Sequence, residues 1–174
     1  MKGSEVALSL GSNLGDRRGH MARALRRLVA LGLLREPEVS GLWETDPVEV
    51  DGPQDRYLNA CAVGCSALSP EDLLAACQHL EREAGREPDG HRRPRPLDVD
   101  LLWHGDGLRR GPDLTLPHPG LARRRFVLAP LAELRPEWRH PESRLSVREM
   151  LAALAPGQTA VRLSGGKEWW REDA

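Results

Sequence analysis

Lysine and aromatic residues are both scarce in this sequence. Lys2 and Lys167 are the only lysines among 25 basic residues, so arginine carries nearly all of the positive charge. The net charge of -1 gives no general attraction to nucleic acid or to a membrane surface, and any anion site must be local. Tyr57 is the only tyrosine and Phe126 the only phenylalanine. A core made mainly of Leu, Val and Ala does not need these two rings as filling, so each is a candidate for a specific role.

Cysteine is also scarce, and long apolar runs are absent. The 3 cysteines are an odd number without Cys-x-x-Cys spacing, which argues against a disulfide framework and against structural zinc. No apolar stretch approaches the roughly 18 residues that cross a membrane, and the first residues do not resemble a signal peptide. These absences predict a cytoplasmic protein without a membrane partner. A length of 174 residues is most simply one domain, 1–174.

Two acidic residues interrupt a short apolar run that begins at Leu97 and ends at Trp103. On a strand, Asp98 and Asp100 would leave the same face roughly 6.6 Å apart and would repel each other by about 2 to 3 kcal/mol. A Mg²⁺ ion would relieve that repulsion. The arginines just before the run, at positions 86, 92, 93 and 95, suit phosphate groups. The segment therefore indicates metal-assisted chemistry on a polyphosphate. An edge strand whose two acids face water would have the same sequence pattern.

Hydrophobic periodicity predicts the order of the main elements. Strands are expected at 5–10, 39–45 and 57–67 and at the segment with Asp98, and helices at 16–34 and 69–85. This βαββαβ order predicts an α+β, ferredoxin-like fold, with a mainly antiparallel sheet and helices on one face. Expected C-terminal additions are a strand pair within 107–116, helices at 127–134 and 146–154, and a tail. Trp169 and Trp170 of the tail look exposed, and the sequence leaves open whether the tail docks on the body or on a neighbouring molecule.

Two long loops and one strand face are the best places for a ligand. The loops 46–56 and 86–96 are polar and contain Pro and Gly, which is typical of loops that close over ligands. Tyr57 and Asn59 share one face of their predicted strand, so a ring and an amide point the same way. That pair suits a flat heterocycle, while a core tyrosine and a loop-capping asparagine remain the simpler interpretation.

Four short blocks carry a resemblance to a known family. They read Leu-Gly-Ser-Asn-Leu-Gly at 10–15, Tyr-Leu-Asn-Ala at 57–60, Pro-Arg-Pro-Leu-Asp-Val-Asp-Leu-Leu at 94–102, and Pro-His-Pro-x-x-x-x-Arg-x-Phe at 117–126. In this order they resemble the hydroxymethyl-dihydropterin pyrophosphokinases of folate biosynthesis, over about residues 5–137, with a C-terminal helix and tail in 138–174. The resemblance implies transfer of the β,γ-diphosphate of ATP to the hydroxymethyl group of 6-hydroxymethyl-7,8-dihydropterin, with release of AMP and with two Mg²⁺ ions. We expect a monomer that acts on these two small molecules.

The resemblance also implies roles for individual residues. Asp98 and Asp100 would hold both metal ions, and Arg95 would join them as a catalytic residue. The residues expected at ATP are Gln78, Glu81, Arg86, Arg95, Thr115, His118 and Arg124. The residues expected at the pterin are Thr45, Pro47, Val48, Tyr57, Asn59 and Phe126. Gln78 and Glu81 lie outside the apolar stripe of the helix predicted at 69–85, and residues in such positions are more often surface residues than ligands.

Two other functions stay open from the sequence. One is a non-catalytic ligand- or RNA-binding module, because the same fold serves binding proteins and enzymes alike. The near-zero net charge and the lack of aromatic residues on the predicted central strands do not favour it. The other is a different Mg²⁺-dependent nucleotidyltransferase or a nuclease that uses the same carboxylates.

Overall fold

A computed structural model describes residues 3–87 and 92–171 of the chain. Its strands are β1 (Ser4–Ser12), β2 (Arg35–Val39), β3 (Trp43–Thr45), β4 (Tyr57–Ser66), β5 (Asp98–His104), β6 (Arg109–Arg110), β7 (Thr115–Leu116) and β8 (Ala160–Arg162). Its helices are α1 (Arg17–Ala30), α2 (Pro70–Glu83), α3 (Arg125–Ala132) and α4 (Val147–Ala153). Within the described residues, no helix is long and apolar enough to span a bilayer.

The main sheet has the strand order β5-β1-β4-β3-β8, and β2 also pairs with β4. Every pairing in it is antiparallel, with β1 and β4 at the centre. The small hairpin of β6 and β7 forms the predicted strand pair. The α+β, mainly antiparallel fold predicted from the element order is therefore confirmed.

Side chains alternate along the strands, so both faces of the sheet carry apolar residues, and other elements cover each face. Leu8 and Leu10 of β1 lie in one buried cluster with Leu25 of α1 and Leu73 of α2, as the predicted packing of two helices on one face requires. The opposite face buries Ala7, together with residues of α3 and α4, namely Val127, Leu128, Leu131, Val147 and Met150. The C-terminal additions thus form the second layer. Each leucine buried in this way stabilises the fold by about 1.5 to 3 kcal/mol.

The single strand predicted at 39–45 is wrong, because β2 already ends at Val39 and β3 begins only at Trp43. The Ser40 amide donates to the Cys61 carbonyl at 2.9 Å, and the Ser40 hydroxyl accepts from the Cys61 amide at 3.0 Å. A Cβ on Gly41 would lie 2.7 Å from Nη2 of Arg162, so glycine at this position leaves room for the Arg162 guanidinium in its observed place. The break lets β3 pair with β4 on one side and with β8 on the other.

Helix ends differ from the predictions where backbone geometry intervenes. The predicted N-cap of α1 is confirmed, because the Asp16 side chain accepts from the Gly19 amide. That helix ends at Ala30, before the expected position 34, since Gly32 turns the chain with a φ of 68°. The predicted N-caps Ser69 and Ser146 are both confirmed. The apolar helix α3 begins at Arg125, earlier than expected, and Gln158 accepts from the Arg125 amide at its open end.

The tryptophan pair in the tail looks exposed in the sequence but is buried, and of the two docking places left open for the tail it occupies the body of the protein. Trp169 and Trp170 are each only 5% exposed and belong to the cluster that contains α1. The Trp169 indole nitrogen donates to the Ser40 carbonyl at 2.9 Å, and Arg18 donates to the Trp169 carbonyl at 3.1 Å. The polar residues around the pair suggested solvent exposure in the sequence, but the tail folds back onto the body.

Candidate functional site

Most of the predicted site residues line one cavity of about 370 Å³. It lies at the ends of the central strands, below the 46–56 loop. Its walls are Ser9, Gly11, Thr45, Asp46, Val48, Glu49, Tyr57, Asn59, Arg86, Arg92, Arg95, Asp98, Asp100, His118, Arg124 and Phe126. Carboxylates, guanidinium groups and two aromatic rings therefore share one enclosed space.

The two acids reach the cavity because they occupy alternate positions on β5. Asp98 is paired in register with Gly11 and Asp100 with Ser9, both on β1. These small neighbours leave room above the sheet. A Cβ on Gly11 would lie 2.9 Å from the Asn59 side-chain oxygen, so glycine at this position leaves space for the Asn59 amide next to β1.

Arginine side chains surround the first of the two acids. Nη1 of Arg86 lies 2.5 Å from Oδ1 of Asp98, and Nη1 of Arg95 lies 3.2 Å from the same oxygen. Arg86 also binds Glu81 at 2.5 Å, and Glu81 accepts from the Val99 amide at 2.7 Å. The guanidinium groups predicted to bind phosphate are thus already beside the carboxylate predicted to bind metal.

The second acid, Asp100, lies farther from its cationic neighbours than Asp98 does, and its pKa is raised. Nη1 of Arg124 lies 3.6 Å from Oδ2 of Asp100, and Nε2 of His118 lies 3.8 Å from it. Burial, followed by the charge of Asp98, raises the pKa of Asp100 to about 7, although Arg124 opposes the shift. Ionising both acids together is therefore costly, and a cation at the pair would lower that cost.

His118 is held neutral next to the acid pair. Burial, followed by the charge of Arg124, lowers the pKa of His118 to about 4. Its Nδ1 accepts from the Gly120 amide at 2.9 Å, so the ring proton lies on Nε2, the nitrogen that faces Asp100. His118 can therefore donate a hydrogen bond towards the acids but is a poor base at neutral pH.

The acid pair fits a hard divalent cation that is shared with phosphate. Within residues 3–87 and 92–171, no group of three or more His, Cys, Asp or Glu side chains is placed to hold a metal ion. Mg²⁺ commonly takes only one or two protein carboxylates and completes its shell with water and phosphate oxygens. Asp98 and Asp100 supply those oxygens, and the neighbouring arginines supply the phosphate contacts.

The other end of the cavity suits a flat polar ring. The Asn59 amide donates to the Thr45 hydroxyl at 2.7 Å, and both side chains are buried. Tyr57 and Phe126 line the same space, and the Arg124 guanidinium lies 5.6 Å from the centre of the Phe126 ring. The Tyr57 hydroxyl is buried without a hydrogen-bond partner among the described residues. Burial raises the pKa of Tyr57, an effect that the nearby Arg95 charge opposes.

Four predicted site residues do not line this cavity. Gln78 is exposed on α2, and Pro47 lies on the 46–56 loop outside the lining. Thr115 lines a neighbouring groove of about 690 Å³, which shares His118 with the cavity. Glu81 lies behind the acids and is 7% exposed, so the interpretation of it as a surface residue is wrong. Its bonds to the Val99 amide and to Arg86, which the helix stripe does not reveal, explain its burial.

Sequence reasoning missed a polar bridge between the two loops. Asn13 donates to the side chain of Gln54 at 3.1 Å and accepts from the Arg95 amide at 2.9 Å. Gln54 in turn donates to the Arg92 carbonyl at 2.5 Å. The Gly-Ser-Asn turn was a visible signal for Asn13, but nothing in the sequence paired it with residues 41 and 82 positions away. The predicted loop 86–96 lies partly outside the described residues, at 88–91.

The fold and the cavity together define a class: an α+β domain with a carboxylate pair, arginines and two aromatic rings at one end of its sheet. Residues 7–136 match the family model described as 7,8-dihydro-6-hydroxymethylpterin-pyrophosphokinase (HPPK). The chain therefore belongs to the HPPK family, and the resemblance seen in the four sequence blocks is confirmed.

Named relatives agree with that family. A 2-amino-4-hydroxy-6-hydroxymethyldihydropteridine pyrophosphokinase of Pseudomonas aeruginosa is 41% identical over 162 residues, which is 92% of this chain and 97% of the relative. The enzyme of that name from Porphyromonas gingivalis is 41% identical over 143 residues, 79% of this chain and 95% of the relative. A folate synthesis bifunctional protein of Arabidopsis thaliana is 42% identical over 131 residues, 75% of this chain. The chain spans only 27% of the length of that plant protein.

Solved structures support the fold. An HPPK-DHPS chain in complex with substrates superposes with a TM-score of 0.67 at 11% identity, covering 88% of this chain and 43% of that chain. HPPK-DHPS of Plasmodium falciparum, wild type with pteroate, gives a TM-score of 0.66 at 15% identity, with 87% and 42% covered. At such low identity these structures bear on the fold alone.

Proposed function

We propose that this chain transfers the β,γ-diphosphate of ATP to the hydroxymethyl group of 6-hydroxymethyl-7,8-dihydropterin and releases AMP, as a step of folate biosynthesis. Membership of the HPPK family supports this reaction. The observation that carries it is one cavity lined by Asp98 and Asp100 at one end and by Tyr57 and Phe126 at the other. Those two ends suit a metal-bound polyphosphate and a flat heterocycle.

In this proposal, the acids and the arginines act on the nucleotide. Asp98 and Asp100 would hold Mg²⁺, with two ions expected, and bound Mg²⁺ would neutralise charge on the transferred diphosphate. Arg86 and Arg95 now contact Asp98, and they would turn to phosphate oxygens when metal takes their place on the carboxylate. His118 would donate from Nε2 to the nucleotide, since its Nδ1 is occupied by the Gly120 amide.

The remaining lining residues would orient the pterin. Tyr57 and Phe126 would stack on its two faces, and Asn59 and Thr45 would hydrogen-bond its edge. The Asn59–Thr45 bond of 2.7 Å fixes the amide in a definite orientation, which is what reading a heterocycle edge requires. Val48 would pack beside the ring as part of the 46–56 loop.

We also propose how the whole chain is organised. Residues 1–174 would form one domain that acts as a monomer in the cytoplasm, with ATP and the pterin as its partners and no nucleic acid or membrane partner. The packing of α3 and α4 against the same sheet supports a single domain.

One assay separates this reaction from the alternatives. Protein, Mg²⁺ and ATP are incubated with and without the hydroxymethyl-dihydropterin, and AMP and the pterin diphosphate are measured. The proposal expects AMP only when pterin is present, with one pterin diphosphate formed for each AMP. Pterin-independent release of AMP and pyrophosphate would indicate a nucleotidyltransferase or nuclease. Absence of AMP in both mixtures, with ligand binding retained, would indicate a binding module.

A further inference from the structure

Glu49 projects its carboxylate from the 46–56 loop into the end of the cavity that holds the acids. Its Oε2 accepts a hydrogen bond from Nη2 of Arg124 at 2.8 Å. That bond lowers the pKa of Glu49, with the charges of Arg124, Arg123 and Arg92 acting in the same direction. Glu49 is therefore an ionised carboxylate among guanidinium groups, which is the environment that these residues would offer to a phosphate.

The backbone at Glu49 is in an uncommon conformation. Its φ is 58°, in the left-handed region that residues with a Cβ seldom adopt. Its side chain is 46% exposed, so burial does not explain why the loop keeps this geometry. Within the part of the chain that the structure describes, the ion pair with Arg124 is the interaction that holds the Glu49 side chain at the cavity.

Arg124 keeps its position without help from Glu49. Its Nη1 faces Asp100 at 3.6 Å, its guanidinium lies over the Phe126 ring, and its stem packs on Gly120. A Cβ on Gly120 would lie 2.6 Å from Nε of Arg124, so glycine at this position is what admits the stem. Nη2 is therefore the Arg124 nitrogen that pairs with Glu49, while Nη1 faces Asp100.

We propose that Glu49 sets the affinity of the site for nucleotide, because its carboxylate competes with a nucleotide phosphate for Nη2 of Arg124. The inference rests on the proposed function, in which Arg124 binds phosphate. When the nucleotide binds, Glu49 gives up this ion pair and the phosphate takes it over. Every binding event therefore carries the cost of breaking one partly exposed ion pair.

The test compares nucleotide binding in matched variants of the full chain. The dissociation constant of a non-hydrolysable ATP analogue with Mg²⁺ is measured calorimetrically for the wild type, Glu49→Gln and Asp55→Asn. Glu49→Gln should bind about two- to fivefold more tightly, the range that a partly exposed ion pair accounts for. Asp55→Asn removes the same charge from the same loop, but Asp55 is exposed and does not line the cavity, so the affinity of this variant should stay within about 1.5-fold of the wild type.

A second variant tests whether the effect passes through Arg124. The Arg124→Lys background keeps the positive charge but loses the guanidinium group and its several N–H donors. In this background, adding Glu49→Gln should improve nucleotide binding less than it does in the wild type. An equal gain in both backgrounds would overturn the inference, as would an equal gain from Asp55→Asn, or unchanged or weaker binding by Glu49→Gln. If the wild type itself does not bind the analogue with Mg²⁺, the proposed function fails first, which distinguishes the two failures.

Discussion

Asp98 and Asp100 enter the cavity from alternate positions of β5, and their charges determine which ligands this end of the cavity can bind. Strand alternation placed both carboxylates on one face, and both line the cavity. Their partners were harder to foresee. Arg86 is 12 positions from Asp98 in the chain but 2.5 Å from it in space, and Glu81 stands behind them with its pKa raised to about 7, chiefly by burial. Such contacts depend on how α2 packs against β5, and no local sequence pattern predicts that packing.

The acid pair should be essential for turnover and not for pterin binding. Asp98→Asn and Asp100→Asn keep the size of each side chain and remove the charge that would hold Mg²⁺. We expect kcat/KM to fall by about 100-fold or more in each variant, with pterin affinity retained. Steady-state kinetics and equilibrium binding of the pterin check this. Near-normal turnover in either variant would remove that residue from the metal site.

The two aromatic rings should account for much of the pterin affinity. Tyr57→Ala or Phe126→Ala should weaken pterin binding by about 1 to 3 kcal/mol, because each would lose one stacking face. Tyr57→Phe is the matched control: it keeps the ring and deletes only a hydroxyl that has no hydrogen-bond partner among the described residues. Its affinity should stay close to that of the wild type. If the alanine variants bind pterin normally, the rings serve the core instead.

At the scale of elements, the predictions succeeded where local rules are enough. The helix starts at Asp16, Ser69 and Ser146 were predictable because each cap bonds within a few residues of itself. The break at Ser40 and Gly41 was not predictable. It depends on Cys61, on Arg162 and on the Trp169 indole, and these residues meet only after the sheet has formed.

The tail should be a structural part of the domain. Trp169→Ala removes a buried ring and leaves the Ser40 carbonyl without its indole donor, so we expect a loss of about 3 kcal/mol or more in the free energy of unfolding. Urea unfolding followed by circular dichroism measures it. Leu31→Ala is the control, because Leu31 is 57% exposed, and its effect should stay within about 0.5 kcal/mol. Equal stability of Trp169→Ala and the wild type would contradict the packed tail.

The segment before β5 should respond to nucleotide. Arg86, Arg92 and Arg95 line the cavity, and phosphate would recruit their guanidinium groups. Hydrogen exchange at Arg86, Glu87, Arg92, Arg93 and Arg95 should therefore slow by about threefold or more when the ATP analogue and Mg²⁺ bind. The turn at 31–34, which follows α1, should not change. Equal exchange at 86–87 and 92–95 with and without the analogue would show that this segment does not order around nucleotide.

At the scale of the whole molecule, the order of elements determined most of what could be foreseen. The βαββαβ order predicted the antiparallel sheet and the layer of α1 and α2. The opposite layer of α3 and α4 was expected only as additions, because a helix stripe shows which side is apolar but not which face of a sheet it will cover. The carboxylate end and the aromatic end of the cavity were predictable as separate signals. Their union in one space required the fold.

The most direct test of the account is a crystal structure with an ATP analogue and with Mn²⁺ in place of Mg²⁺, phased for the manganese anomalous signal. We predict anomalous peaks about 2.0 to 2.3 Å from the carboxylate oxygens of both Asp98 and Asp100, each also in contact with phosphate oxygens. A bound nucleotide whose phosphates lie away from the acid pair, with no peak between Asp98 and Asp100, would contradict the central claim.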